Sequence, residues 1–387
     1  MTRISGSLAR IASVGTAVPP ASYTQEELLS IFGVTDPRVR SVFLNSAIER
    51  RHLTLPPRGT DGTPRTETQG DLLRKHVSSG LLIGREAIEA CLKRLDADPD
   101  EVAFLACVST TGFLAPGFSA LLIKDLGLRP SCGRLDVVGM GCNAGLNALA
   151  AVTGWASTHP GRLALMVSIE VCSAAYVFDG TMRTSVVNSL FGDGAAAIAV
   201  VADAGAGPGT GHGTAHGPEH GIAHASGRRV GRDVRAPGFG VGPVVLGYAS
   251  RIVTDAIDAM RYDWDEDQGR FSFFLDPEVP YVVGAHAEET VDRLLGDAGL
   301  RRSDIAHWVI HSGGRKVIDA VRVNLGLTRH DVRHTLSVLR DYGNLSSGAF
   351  LFSFRQLWEE GTVRPGDHAV LMAMGPGSTI ETALLRW

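Results

Sequence analysis

The stretch Leu135-Asp136-Val137-Val138-Gly139-Met140-Gly141-Cys142-Asn143-Ala144-Gly145-Leu146-Asn147-Ala148-Leu149 decides the fold reading. A short apolar run meets a turn of closely spaced glycines, and an apolar helix follows through Trp155. Glycine lets the backbone turn sharply and approach a ligand closely, so the segment reads as strand, tight turn and helix. Outward from it, strands are expected at Ile11–Val18, Val102–Val108, Arg134–Val138, Leu163–Ile169 and Ala195–Val201, with an amphipathic helix over Gly80–Asp96. Buried strands alternating with helices predict an α/β layered fold with much parallel sheet.

The second half of the chain carries a weak repeat of this unit. After Gly141-Cys142-Asn143-Ala144-Gly145 come the helix through Trp155, Pro160-Gly161 and the strand Leu163–Ile169. After Gly343-Asn344-Leu345-Ser346-Ser347 come a helix through Trp358, Pro365-Gly366 and the strand Ala369–Met374. Cys142 precedes Pro160 by 18 residues (160 − 142), and Asn344 precedes Pro365 by 21 (365 − 344). Chance is one explanation for a single such match, and duplication is the other. Under duplication, Cys142 and Asn344 occupy equivalent helix starts facing a shared pseudo-dyad.

The midpoint is a Gly-rich segment with His212, His216, His220 and His224. On a helix these would share a face at metal-like spacing, but Gly211, Gly213, Gly217, Gly221 and Pro218 oppose a helix there. The segment is read as an insertion in a hairpin between strands Ala195–Val201 and Val244–Tyr248. The expected organisation is therefore a first half over residues 1–204, an insertion over 205–243 and a second half over 244–387.

With 387 residues, 44% hydrophobic and 20% charged, the chain can bury a sizeable core. A mean hydropathy of +0.08 and a net charge of −4 exclude a disordered tail and argue against a polybasic binder of nucleic acid or membrane surface. Five scattered cysteines without a CxxC pair do not form a disulfide framework and suit a reducing compartment. Ile11–Val18 runs into Pro19-Pro20 and reads as a strand and turn, not a signal segment. The most apolar run, Ala195–Ala202, is far below the roughly 18 residues a membrane helix needs. The reading is a soluble, cytoplasmic protein.

Three residues stand where chemistry could be done. Cys142 opens a helix after a strand, where the helix N-terminus favours a thiolate nucleophile; a small buried cysteine is the plain alternative. His311 ends the strand Trp308-Val309-Ile310 and precedes Ser312-Gly313-Gly314, facing the strand-end crevice where α/β folds bind ligands, or else is a satisfied core histidine. Asn344 is either a helix N-cap or, with His311, a donor to a thioester oxygen.

The stretches Val137–Gly145, Trp308–Gly314 and Tyr342–Ser347 resemble the Cys-His-Asn motifs of the type III polyketide synthases, the chalcone synthase superfamily. Leu190–Ala196 and Gly375-Pro376-Gly377-Ser378 add to the likeness. Asp179–Thr184, Asp258–Trp264 and Arg270–Val283 resemble a bacterial branch found in glycopeptide-antibiotic pathways. The resemblance implies a thiolase-like fold, two pseudo-duplicated βαβαβ-type halves in a five-layered αβαβα core. It implies that Cys142 carries the growing chain, that His311 and Asn344 hold the malonyl thioester and its enolate, and that His311 keeps Cys142 ionised. Phe191 and Phe273 would gate the cavity, while Ser346 and the Gly375-Pro376-Gly377 loop would line it.

The same resemblance implies four malonyl-CoA per aromatic CoA thioester, no metal or organic cofactor, a homodimer, and hydratase-like pathway enzymes as helpers. The CoA-binding cations of plant relatives read here as Arg38, Ser41 and Asn45. Arg38, Arg40, Gly313, Gly314 and Lys316, with Arg315, are then the expected CoA contacts. Ala115 stands where plant enzymes have a methionine that reaches across the dimer, and Ala175 replaces a cavity threonine. A priming β-ketoacyl carrier-protein synthase is opposed by Phe191 and Tyr342-Gly343-Asn344. A non-catalytic thiolase-fold subunit is opposed by the intact Cys142, His311 and Asn344.

Overall fold

The computed structural model describes residues 7–60, 62–203 and 242–387. His212, His216, His220 and His224 lie outside the described residues. The first half runs β1 (Ala9–Ala17), β2 (Ser22–Thr24), α1 (Gln25–Ile31), α2 (Pro37–Leu44), β3 (Arg50–His52), α3 (Gln69–Leu95), β4 (Val102–Val108), α4 (Phe118–Asp125), β5 (Gly133–Val137), α5 (Ala144–Thr158), β6 (Leu163–Glu170), α6 (Met182–Leu190) and β7 (Gly194–Ala202). The second runs β8 (Val244–Ile252), β9 (Met260–Asp265), β10 (Arg270–Leu275), α7 (Val279–Gly296), β11 (Ile305–Ile310), α8 (Arg315–Asn324), α9 (Arg333–Tyr342), α10 (Ala349–Glu360), β12 (His368–Gly375) and β13 (Thr379–Arg386).

One helix is longer than its apolar pattern. α3 begins at Gln69, eleven residues before Gly80, because Thr68 and Asp71 form a capping box. Its first turns bury Lys75 and His76, which interrupts the apolar stripe that sequence periodicity follows.

The sheet order is β11-β12-β13-β8-β1-β7-β6-β4-β5. Within the first half, β1–β7 and β7–β6 are antiparallel and β6–β4 is parallel. The second half repeats this with β8–β13 and β13–β12 antiparallel and β12–β11 parallel. That shared pattern is the duplication, and one antiparallel link at Arg10 and Val244 joins the two half-sheets. The expected hairpin between β7 and β8 is absent: β1 lies between them and pairs with both. Sequence adjacency failed here because each half closes on its own last strand.

Helices α5 and α10 contact strands of both half-sheets. They lie between the sheets, and α3 packs on the outer face of one and α7 on that of the other. A helix buried on both sides must be apolar nearly all round. Leu146, Leu149 and Val152 of α5 and Phe350, Leu351 and Phe354 of α10 are accordingly buried, each contributing roughly 1.5–3 kcal/mol of apolar transfer.

The structure also corrects the repeat's register. Residues 144, 161 and 163 (start of α5, the turn glycine, start of β6) correspond to 349, 366 and 368. That constant offset of 205 makes Ser347, not Asn344, the counterpart of Cys142. Asn344 sits three residues earlier, in the turn after α9, because a short 3-10 turn (Ser346–Gly348) precedes α10 just as Gly141–Asn143 precedes α5.

Candidate active site

Cys142 sits in the 3-10 turn between β5 and α5 and is buried. Gly141 has φ +74°, and a Cβ there would collide with the ring of Pro376. A Cβ on Gly375 would stand 2.9 Å from the Cys142 nitrogen. The Gly375-Pro376-Gly377 loop thus backs directly onto the Cys142 turn, a contact only glycine at 141 and 375 permits.

The sulfur of Cys142 lies 3.5 Å from Ser346 Oγ. Ser346 is buried at φ +50°, a left-handed conformation uncommon outside glycine, and Asn344 Oδ1 holds it there by accepting its backbone N–H at 2.9 Å. Asn344 is fixed in turn: its N–H donates to the Leu190 carbonyl at 2.8 Å, and its carbonyl accepts from Gly192 N–H at 3.0 Å. Phe191 lies between those two residues, so Phe191 and Asn344 share one bridge. Asn344 therefore does cap a turn through Oδ1, which leaves Nδ2 to donate.

His311 follows β11 and donates its backbone N–H to the Met372 carbonyl at 2.8 Å. Ser312 Oγ donates to the Gly343 carbonyl at 3.3 Å, tying this loop to the Asn344 turn. The His311 ring is buried and its Nδ1 has no partner. Burial lowers its pKa to about 4 and raises that of the Cys142 thiol to about 12. No hydrogen bond or ion pair joins the two side chains in this structure, which differs from the ionised pair expected above. Desolvation outweighs the helix terminus here.

Phe191 and Phe273 meet edge to face with centroids 6.2 Å apart, and Tyr176 packs on both at 4.1 and 5.4 Å. They share one buried cluster with Cys142, Cys172 and Met260. The other four cysteines are free and buried, as packing residues.

The sequence reading missed a buried acid. Glu170 Oε2 accepts from Thr110 N–H at 3.1 Å and from Thr110 Oγ1 at 3.0 Å, and Oε1 accepts from Ser347 Oγ. Thr110 Oγ1 lies 3.0 Å from Ser346 Oγ, so hydroxyls connect Glu170 to the Cys142 sulfur. A lone acid closing the strand Leu163–Ile169, apolar except for Ser168, was the available signal.

Residues 1–204 match the description "Chalcone and stilbene synthases, N-terminal domain", and residues 260–387 match "Chalcone and stilbene synthases, C-terminal domain". The chain belongs to the chalcone and stilbene synthase family. It is 60% identical to a 3,5-dihydroxyphenylacetyl-CoA synthase of Streptomyces toyocaensis, over 98% of this chain and 90% of that protein. It is 58% identical to the enzyme of the same name from Amycolatopsis balhimycina, over 98% and 93%. The 1,3,6,8-tetrahydroxynaphthalene synthase of Streptomyces coelicolor A3(2), described as a bacterial type III polyketide synthase, superposes with TM-score 0.81 at 25% identity, covering 98% of this chain and 99% of that one. PKS-I of the brown alga Ectocarpus siliculosus shares the fold, with TM-score 0.82 at 22% identity and 98% coverage of each chain.

Four arginines gather apart from most of the expected CoA contacts. A cavity of about 550 Å3 is lined by Arg315, Arg329, Arg333 and Arg340, with Leu44, Ala47, Ile48 and Glu49 opposite. Arg38, Arg40 and Lys316 are not among its lining residues. Gly313 lies against the His311 ring, and Gly314 begins the approach to α8. Arg333 and Arg340 lie seven residues apart, on one face of α9; this spacing was legible, but its neighbour across the cavity was not.

Burial raises the Glu170 pKa to about 7 from 4.5. Below pH 4.5 both folded and unfolded chains carry the proton. As pH rises to 7 the unfolded chain loses it first, so the fold loses stability, by about 3 kcal/mol in all. Glu170→Gln should remove this fall. In urea titrations the wild type should weaken relative to the variant between pH 4.5 and 7; a pH-independent difference would refute the assignment.

Proposed function

We propose that the chain is a CoA-dependent synthase that makes 3,5-dihydroxyphenylacetyl-CoA from malonyl-CoA. The observation that carries this is the 60% identity, over 98% of the chain, to a protein of that name. Supporting it are Cys142, Asn344 and His311, set on adjoining turns behind the Phe191 and Phe273 gate.

In this reading Cys142 passes its proton to the neutral His311 and takes an acyl group from CoA as a thioester. Asn344 Nδ2 and His311 donate to the carbonyl oxygen of a second malonyl thioester. As the carboxylate leaves as carbon dioxide, the electrons of that carbon–carbon bond form an enolate, which these donors stabilise. The enolate attacks the Cys142 thioester and expels the sulfur, which receives the lengthened chain again. Four malonyl-CoA, one decarboxylated as the starter, yield an eight-carbon chain. Ring closure and loss of one water then give the product, three CoA and four carbon dioxide. Claisen chemistry of this kind needs no redox or metal partner.

Purified protein with malonyl-CoA alone should release CoA and form an aromatic CoA thioester of the expected mass. No aromatic product would reject the reading, and a naphthalene product would reassign it within the family. Hydratase-like pathway enzymes would raise the yield of aromatised or hydrolysed product. Phe113 and Val138, exposed in the loops that follow the neighbouring strands β4 and β5, support a homodimer, which light scattering tests. Five free cysteines suit the reducing cytoplasm.

The arginine cavity is the proposed CoA phosphate site. Arg315, Arg333 and Arg340 are paired with Asp319, Glu360 and Asp341, while Arg329 has no ion-pair partner among the described residues. Arg329→Ala combined with Arg333→Ala should raise KM for malonyl-CoA by about 10-fold with kcat little changed, and less so at high salt. Arg38→Ala should change KM by less than about 2-fold. The reverse ranking, in steady-state kinetics, would return CoA to α2.

A further inference from the structure

A second cavity, of about 380 Å3, lies behind Tyr176 and Phe191, on the α1, α2 and α6 side of the gate. Three arginines line it: Arg65 is exposed, whereas Arg51 and Arg270 are more than nine-tenths buried. Arg51 donates to the carbonyls of Asn188 and Phe191 at 2.6 and 2.7 Å and to Gln25 Oε1 at 2.8 Å, and its Nε has no partner. Arg270 donates only to Gln268 Oε1.

Neither buried arginine has a carboxylate within ion-pair reach among the described residues. The two acids that line the cavity are committed elsewhere. Glu67 holds Lys75 at 2.6 Å. Asp179 accepts from Thr181, Thr184 and Gln268. Buried cations are expensive unless a counter-charge answers them. Asp193 favours the charged form of Arg51 without reaching ion-pair distance, while Arg270 has no acid answering it among the described residues, so the cavity calls for an anion from outside the chain at Arg270.

The remaining walls are aromatic. Phe178 meets Phe32 and Phe43 edge to face at 5.3 and 5.7 Å. A space of this size is at the lower end of small-molecule sites, roughly 300–1,000 Å3, and suits one substituted ring. We propose that this cavity binds a monocyclic aromatic carboxylate, its ring among Phe32, Phe43 and Phe178 and its carboxylate on Arg270, with Arg51 completing the charge. The site is separate from Cys142 and from the arginine cavity, and it touches the back of Phe191.

The test is calorimetric titration of the full chain with 3,5-dihydroxyphenylacetate, phenylacetate, their amides and inorganic phosphate. The acids should bind one per chain, at least about 10-fold tighter than their amides, with the same Kd in saturating CoA and no comparable binding of phosphate. Arg270→Gln should erase the preference for acid over amide. Val187→Phe, which fills the cavity from α6 without altering charge, should weaken acid and amide alike. Equal binding of acid and amide, displacement by CoA, comparable affinity for phosphate, binding unmoved by both variants, or no binding would each overturn the proposal. Choosing the dihydroxylated ring rests on the proposed product. No turnover is measured, so a wrong product would shift the preference between the two acids and leave the dependence on Arg270 intact.

Discussion

Replacing Cys142 with alanine is expected to lower formation of the aromatic thioester by at least about 10³-fold while malonyl-CoA is still decarboxylated. The reason is a division of labour. The sulfur is the only atom of the protein in the proposed sequence that bonds to the growing chain, whereas the enolate is stabilised by His311 and Asn344, which the substitution leaves in place. Cys142 contacts Ser346 through a weak 3.5 Å interaction, so losing the sulfur should cost the fold only about 1 kcal/mol. Incubation with malonyl-CoA should therefore accumulate acetyl-CoA, read by mass, in a protein with nearly unchanged thermal stability. Extended products in the variant would place the nucleophile elsewhere.

Asn344→Ala should slow decarboxylation by about 100-fold or more. The alanine variant loses two things, because Oδ1 caps the Ser346 N–H and Nδ2 is the free donor. Without the cap, Ser346 is no longer held at φ +50°, where its hydroxyl meets both Cys142 and Thr110. Asn344→Asp separates the two losses, since a carboxylate still accepts from Ser346 but cannot donate. If donation to the thioester oxygen is the larger role, both variants lose decarboxylation to a similar degree, and only alanine lowers stability. If the aspartate variant keeps near wild-type decarboxylation, Asn344 is a capping residue alone.

The arginine cavity and Glu170 show how far reading along the chain can reach. Arg333 and Arg340 share a helix face at a spacing visible in the sequence. That this face meets Ala47–Glu49, almost three hundred residues earlier, depends on how α9 docks. Glu170 was visible as an acid ending an apolar strand, yet its link to Cys142 passes through Thr110 and Ser346, so that four separate parts of the chain must meet.

Strand–turn–helix units, the duplicated architecture and the three chemistry-bearing residues were determined by the sequence itself. They rest on short-range causes: glycine at a turn, alternation of apolar runs, and the side-chain chemistry of Cys142, His311 and Asn344. Tertiary structure decided what depends on distant partners. It set the offset of 205 that pairs Cys142 with Ser347, put β1 between β7 and β8, and made Glu170, Arg51 and Arg270 buried charges. It also raised the pKa of the Cys142 thiol and lowered that of the His311 imidazole. Desolvation is the common physical reason, because the cost of a charge is set by everything packed around it.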